Sequence, residues 1–153
     1  MIPAGDCFHT GIIVDDLDSA TARFTAVSGY EWTRPIEATV PVHTAGADFD
    51  LPLRFVYSLQ APHLELIQEV PDTLWSAPPG APIHHLAYWV DDLDAAAAGL
   101  ESAGFRLEAR PSGDQLTKFA YFVGPAGVRL EIVDRATIPD WAGFLEAMRR
   151  DPS

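Results

Sequence analysis

The chain has little of several features that would place it outside the cytoplasm. Cys7 is its only cysteine, so no disulfide can form within the 153 residues, and a reducing compartment is expected. No apolar run approaches the roughly 18–20 residues that a membrane-spanning helix needs. The first residues, MIPAGDCFHT, lack the basic and apolar segments of an export signal. The sequence therefore predicts a cytoplasmic protein with no membrane partner.

Basic residues are also scarce. The chain has 10 lysines and arginines against 22 acidic residues, which gives a net charge of −12 at neutral pH. Such a field repels nucleic acids and anionic membranes, and no cluster of arginines offsets it. The sequence therefore predicts no nucleic-acid partner. A small-molecule substrate is expected instead.

One phrase occurs twice. Residues 9–18 are HTGIIVDDLD and residues 85–94 are HLAYWVDDLD, so each copy begins with histidine and ends in VDDLD. A helix of about ten residues is predicted after each copy, with Asp18 or Asp94 as N-cap. Gly29 and Gly104 are expected to stop these helices, and the aromatic residue that follows each glycine is expected to begin a strand.

Shorter echoes follow each copy. Residues 55–57 are FVY and residues 119–121 are FAY, while LELI at 64–67 matches LEIV at 130–133. Each pair is typical of two strands joined by a turn. An internal repeat of this kind indicates a duplicated unit. We therefore predict an α+β fold of two tandem βαβββ modules that form a curved mixed sheet around a cavity.

The predicted modules have definite boundaries. A proline-rich linker separates them, and a segment whose apolar residues recur at helical spacing follows the second one. The expected organisation is a first module over residues 7–70, a linker over 71–82, a second module over 83–135 and a C-terminal helix over 136–150.

Four residues of the repeat carry the predicted chemistry. His9 corresponds to His85, and Glu65 corresponds to Glu131. A carboxylate bracketed by large apolar residues in a strand is either exposed or compensated by a partner, because burial of an unpaired charge is costly. Two imidazoles and two carboxylates from equivalent strands suit a divalent ion such as Zn, Ni, Co, Mn or Fe(II). The sequence therefore predicts a metal site.

Other residues are expected to shape the cavity. Aromatic side chains in the strands are candidates for an apolar substrate pocket, and we single out Tyr57, Trp32 and Trp89. The long segment ATVPVHTAGADFD, residues 38–50, is a candidate lid over the cavity.

The repeat resembles the vicinal oxygen chelate superfamily, which includes glyoxalase I, methylmalonyl-CoA epimerase, extradiol dioxygenases and antibiotic resistance proteins. The phrases HTGIIVDDLDSA and HHLAYWVDDLDAA resemble the opening strand and helix of its modules, and HLELIQ and VRLEIVD resemble its ligand-bearing last strand. The resemblance covers residues 7–135. It implies that His9, Glu65, His85 and Glu131 bind metal, that Glu37 lies near a catalytic acid position, and that the protein is a homodimer.

The resemblance implies a metal-dependent isomerase, epimerase or lyase of the glyoxalase-like type. Such an enzyme stabilises the enediolate or enolate of a small oxygenated substrate, with the metal as Lewis acid and Glu131, Glu65 or Glu37 moving the proton. Two alternatives remain at this stage. One is a protein that binds an antibiotic or polyketide-like small molecule, and the other is an Fe(II) dioxygenase built on two histidines and a carboxylate.

Overall fold

Eight strands and three α-helices follow one another along residues 1–152, which are the residues that this computed structural model describes. In the first half of the chain the elements are β1 (Cys7–Val14), α1 (Leu17–Ser28), β2 (Ile36–Thr44), β3 (Ala47–Tyr57) and β4 (Leu64–Gln68). In the second half they are β5 (Ile83–Val90), α2 (Leu93–Ser102), β6 (Arg106–Pro111), β7 (Phe119–Val123), β8 (Arg129–Asp134) and α3 (Trp141–Ala147). The strands form parallel and antiparallel pairs, which confirms the α+β class and the mixed strand pairing of the predicted fold.

The chain divides into two units that do not coincide with its two halves. One unit, here called the His9 unit, contains residues 9–38, 52–84 and the chain from Asp140 onward. The other, the His85 unit, contains residues 1–8, 39–51 and 85–139. The tip of the β2–β3 hairpin therefore belongs with the strands of the second half, which the predicted modules 7–70 and 83–135 do not anticipate.

In the His9 unit, β4 lies between β1 and β3. It runs parallel to β1, with Gly11 opposite Glu65, and antiparallel to β3, with Tyr57 opposite Glu65. Helix α1 covers one face of these strands and buries Leu17 and Ala20 against Val56 and Leu66. Because neighbouring residues in a strand point to opposite faces, Tyr57 and Glu65 lie on the face away from α1.

The His85 unit repeats this arrangement. Strand β8 runs parallel to β5, with Ala87 opposite Glu131, and antiparallel to β7, with Tyr121 opposite Glu131. Helix α2 packs Leu93 and Leu100 into an apolar layer with Ala120, Phe122 and Ile132. The alternation along β7 and β8 therefore places Tyr121 and Glu131 on the face away from α2. Each unit thus has a helix-covered outer face and a second face that carries a glutamate.

Both long helices begin two residues earlier than the sequence analysis expected. The N-caps are Asp16 and Asp92, whose carboxylates accept hydrogen bonds from the backbone amides of Ser19 and Ala95. The predicted caps, Asp18 and Asp94, instead lie in the first helical turn. The expected end of α1 at Gly29 is confirmed by its left-handed conformation, with φ 71°.

The segment predicted as a lid forms a β-hairpin. Strands β2 and β3 are joined by Ala45 and Gly46, which both have positive φ, at 52° and 75°, as a tight hairpin turn requires. Residues 42–44 of β2 also pair antiparallel with residues 109–111 of β6. This segment is therefore held by strand pairing, and it is not an open loop.

The beginning of strand β2 and the C-terminal helix also differ from expectation. Strand β2 begins at Ile36, whereas Tyr30 was expected to begin it. Helix α3 spans only Trp141–Ala147, capped by Asp140, instead of residues 136–150. Among residues 1–152, no helix combines the length and apolar character needed to cross a membrane.

Candidate metal centre

The His9 unit contains a buried histidine–glutamate pair. His9 lies on β1 two residues before Gly11, and Gly11 is the register partner of Glu65 on β4. The two side chains therefore share the face away from α1. His9 Nε2 and Glu65 Oε2 are 3.4 Å apart, and the two residues are only 3% and 7% exposed.

The His85 unit contains an equivalent pair. His85 lies on β5 two residues before Ala87, and Ala87 is the register partner of Glu131 on β8. His85 Nε2 and Glu131 Oε2 are 3.1 Å apart, with residue exposures of 2% and 8%. The two pairs thus have the same strand positions, the same parallel pairing and the same pair of facing atoms.

A tyrosine accompanies each pair. Tyr57 is opposite Glu65 in register and its ring lies 5.4 Å from that of His9, while Tyr121 is opposite Glu131 and its ring lies 5.1 Å from that of His85. Tyr57 was predicted to line a pocket, whereas the sequence analysis did not select Tyr121. The repeated FVY and FAY triplets were the signal that would have identified it.

The distances within the pairs suit two ligands of one ion. Two ligand atoms that each lie about 2.1 Å from an ion are about 3.0 Å apart at a right angle and about 3.4 Å apart at the tetrahedral angle. A direct hydrogen bond between a charged imidazole and a carboxylate would be shorter, at about 2.7–2.9 Å. Imidazole nitrogen and carboxylate oxygen are also the donors that zinc and similar ions accept. Each pair therefore fits half of a divalent-metal site.

Glu37 does not share this environment. Its side chain is 71% exposed and accepts a hydrogen bond from Arg54 Nε at 3.1 Å. The same guanidinium contacts Asp18, at the start of α1, at 3.6 Å. Glu37 is thus held at the surface beside α1, on the opposite side of the strands from Glu65. This surface position adds no support for the catalytic role expected of Glu37, which stays a prediction.

The two tryptophans of the predicted pocket have different surroundings. Trp32 packs with Phe24 of α1, and its indole nitrogen donates a hydrogen bond to Thr25. This places Trp32 in the layer that α1 covers, and its expected role in lining the pocket with Tyr57 stays a prediction. Trp89 is 7% exposed and stacks on Phe8 at a ring separation of 3.6 Å.

Three further histidines have partners of their own. His84 forms a 2.8 Å hydrogen bond with the carbonyl of Leu74, and His63 Nδ1 donates to the carbonyl of Ser58 at 3.0 Å. His43, on the β2–β3 hairpin, donates from Nδ1 to Asp48 at 2.7 Å. This hydrogen bond, with a second one from Ser112, holds the pKa of Asp48 below its ordinary value of 3.8.

Comparison with known families identifies the class. Residues 8–121 match the sequence profile of the glyoxalase/bleomycin resistance protein/dioxygenase superfamily. The matched region contains His9, Glu65 and His85 and covers most of the chain. The chain belongs to this superfamily, which confirms the resemblance drawn from the repeated phrase.

Solved structures provide related folds at low identity. Methylmalonyl-CoA epimerase from Mycobacterium tuberculosis is 23% identical, with 88% of this chain and 92% of that chain covered and a TM-score of 0.59. A Streptomyces coelicolor methylmalonyl-CoA epimerase variant in complex with 2-nitronate-propionyl-CoA is 22% identical, with coverages of 84% and 96% and a TM-score of 0.59. A hypothetical protein from Bacillus halodurans is 15% identical, with coverages of 84% and 92% and a TM-score of 0.60. A search of curated proteins gave no match.

Proposed function

We propose that this protein is a metal-dependent isomerase, epimerase or lyase of the vicinal oxygen chelate type. Its substrate would be a small molecule with two neighbouring oxygens and an acidic C–H bond beside them. Removal of that proton creates an enolate or enediolate, and return of the proton at another position or face completes isomerisation or epimerisation. Elimination from the same species would give the lyase reaction.

The observation that carries the proposal is the repetition of the His–Glu pair at one strand register. We propose that His9, Glu65, His85 and Glu131 together hold one divalent ion, of unassigned identity among Zn, Ni, Co, Mn and Fe(II). When bound, such an ion supplies Lewis-acid stabilisation of negative charge on a substrate oxygen. The positive charge of such an ion would also compensate the negative charge of the two buried carboxylates.

The protein side chains would perform the proton transfer. Glu65 and Glu131 are the buried carboxylates beside the proposed substrate position, and either one can accept the proton and return it. Tyr57 and Tyr121 pack against the two histidines, which fixes the imidazole planes and limits access of water. A dry surrounding strengthens the electrostatic interactions on which this type of catalysis depends.

The fold neighbours give additional support for carbon-acid chemistry. Several are methylmalonyl-CoA epimerases, and one was solved in complex with methylmalonyl-CoA. A coenzyme A substrate is not part of the proposal, because the sequence has no distinctive cluster of basic residues for such a ligand. Fold similarity alone also leaves the substrate undetermined.

Exchange of a substrate proton with solvent deuterium tests the proposed function. Metal-loaded protein would be incubated in deuterium oxide with dihydroxyacetone, hydroxyacetone or 2-hydroxyacetophenone, and exchange at the carbon beside the carbonyl would be followed by NMR. We expect exchange without oxygen uptake in at least one of these. Glu65→Gln or Glu131→Gln should slow it by roughly 10²–10⁴-fold, the usual contribution of a general base.

Glu101→Gln is the matched control, because it removes an exposed carboxylate on helix α2, and it should leave the exchange rate unchanged. Metal content of each variant distinguishes a lost proton carrier from a lost ligand. Oxygen consumption with Fe(II) would instead support a dioxygenase. Tight binding without exchange would support a binding protein, and absence of exchange from all three compounds would contradict the proposal.

A further inference from the structure

A group of half-buried rings lies next to the His9–Glu65 pair. We define this aromatic patch as Phe55, His63, Trp141 and Phe144. Phe55 is two residues before Tyr57 on β3, and His63 is two residues before Glu65, immediately before β4. Both therefore project from the face that carries the His9–Glu65 pair, and Trp141 and Phe144 come from α3.

Ring contacts connect the patch to the pair. Tyr57 lies between them, with its ring 5.4 Å from His9 and 4.9 Å from Trp141. Trp141 then stacks with Phe144 at 5.9 Å and an angle of 17°, and it meets the ring of His63 edge-on at 5.7 Å. Only one ring therefore separates the imidazole of a proposed metal ligand from the indole of Trp141.

The partial exposure of the rings on α3 indicates a ligand-binding surface. Of the residues in this seven-residue helix, only Leu145 is buried. Trp141 and Phe144, three residues apart and thus on one side of the helix, remain partly exposed. Packing of the helix alone would not require two large rings on this side, and contiguous half-exposed rings beside a polar centre are typical of ligand sites.

We propose that the aromatic patch is the subsite for an aromatic ring of the substrate, whose two neighbouring oxygens reach the metal site that includes His9 and Glu65. This inference rests on the proposed function and specifies its substrate class. The ring faces and edges of Trp141, Phe144 and His63 provide the offset and edge-to-face contacts that aromatic rings prefer, at centroid separations of about 4.5–7 Å. An aliphatic substrate with the same oxygens would leave these rings exposed to water.

Mandelate and lactate test this subsite, because they share the 2-hydroxycarboxylate group and differ in a phenyl or methyl substituent. Affinities of metal-loaded protein for each enantiomer of both compounds would be measured by calorimetry. We expect mandelate to bind about tenfold more tightly or better. Trp141→Ala should reduce the ratio of affinities to about three or less, with lactate affinity unchanged, and Trp141→Phe should retain most of it.

Tyr30→Ala is the matched control. Tyr30 is a half-buried ring of the same unit that packs with Phe24 and Trp32 on the outer face, so its loss should preserve the preference for mandelate. Phe144→Ala provides a second test if Trp141→Ala does not fold.

Equal affinities in the unmodified protein, failure of both compounds to bind, or a ratio that survives both patch variants would overturn the subsite. A change of oligomeric state in Trp141→Ala without a mandelate preference would assign the patch to contact with a second copy, and would likewise overturn it. Retained metal and deuterium exchange in these cases would show that the proposed function stands without the aromatic subsite.

Discussion

The carboxylates of this chain differ in burial and in their partners. These differences indicate which of them are suited to metal binding and proton transfer. Glu65 and Glu131 are buried, and each faces the imidazole of a histidine on a neighbouring strand. Asp48 and Glu37 are exposed and already paired, Asp48 with His43 and Glu37 with Arg54. The buried pair of glutamates is therefore the one suited to metal binding and proton transfer.

Asp48 provides a residue-scale prediction about pH. The hydrogen bond from His43 holds the pKa of Asp48 below 3.8, and a longer hydrogen bond from Ser112 Oγ, 3.2 Å, acts in the same direction. Because the pKa is lowered by folding, the contribution to stability is present above the ordinary pKa and lost as pH falls through the folded value. We expect His43→Ala to raise the pKa of Asp48 toward 3.8, as measured by NMR titration of the carboxyl carbon.

Ser112→Ala should raise that pKa by less, because its hydroxyl is the more distant donor. An unchanged pKa in His43→Ala would contradict the assignment of the imidazole as the main cause. Both side chains are exposed, so the accompanying change in the free energy of unfolding should be small.

Repetition made the central residues predictable. His9, Glu65, His85 and Glu131 were selected because each has a counterpart at the same place in the other copy, and the structure gives both pairs the same register. Glu37 was selected from the resemblance alone; it lies at the surface beside Arg54, and its catalytic role stays a prediction. Tyr121 was missed because an aromatic residue in a strand is usually part of the core, and its relation to His85 depends on strand pairing.

At the scale of elements, the two N-caps allow a direct test. Asp16 and Asp92 accept the capping hydrogen bonds of α1 and α2, at 2.7 and 3.0 Å. Asp16→Ala and Asp92→Ala should each lower the free energy of unfolding, because each leaves a backbone amide of the first helical turn without its side-chain acceptor. Urea denaturation would measure this change.

Asp18→Ala and Asp94→Ala are the matched controls, since these residues belong to the first turn and their side chains accept no capping hydrogen bond; Asp18 additionally contacts Arg54. They should cost less, about 0.3–1 kcal/mol at most. A larger loss for Asp18→Ala than for Asp16→Ala would contradict the observed capping.

The errors in the elements have physical reasons. Each VDDLD phrase offers several aspartates, and the cap is the one before a buried leucine, Leu17 or Leu93, which burial alone reveals. The sequence does not predict the hairpin over residues 38–50. Strand β2 buries only Val42, so its alternation of apolar and polar residues is weak. Helix α3 is short because Asp140 caps it after Pro139, so the apolar residue Ile138 stays outside it.

At the scale of the whole molecule, strand pairing places a segment of the first half of the sequence in the same unit as most of the second half. Residues 42–44 of β2 pair with β6, Thr44 Oγ1 donates to the carbonyl of Glu108 at 2.7 Å, and the amide of Ser112 donates to the carbonyl of Pro41 at 3.0 Å. These contacts place residues 39–51 in the His85 unit. Sequence patterns specify which face of a strand is apolar, but they do not specify which distant strand pairs with it. The predicted modules could therefore not anticipate that residues 39–51 belong to the His85 unit.

The proposed function requires that His9, Glu65, His85 and Glu131 hold a single ion. Native mass spectrometry of metal-loaded protein would measure ions and chains together, with a homodimer as the expected assembly. The account predicts one ion per chain, lost in both His9→Ala and His85→Ala and retained in His43→Ala. Two ions per chain, no ion, or loss in only one of the two ligand variants would contradict it.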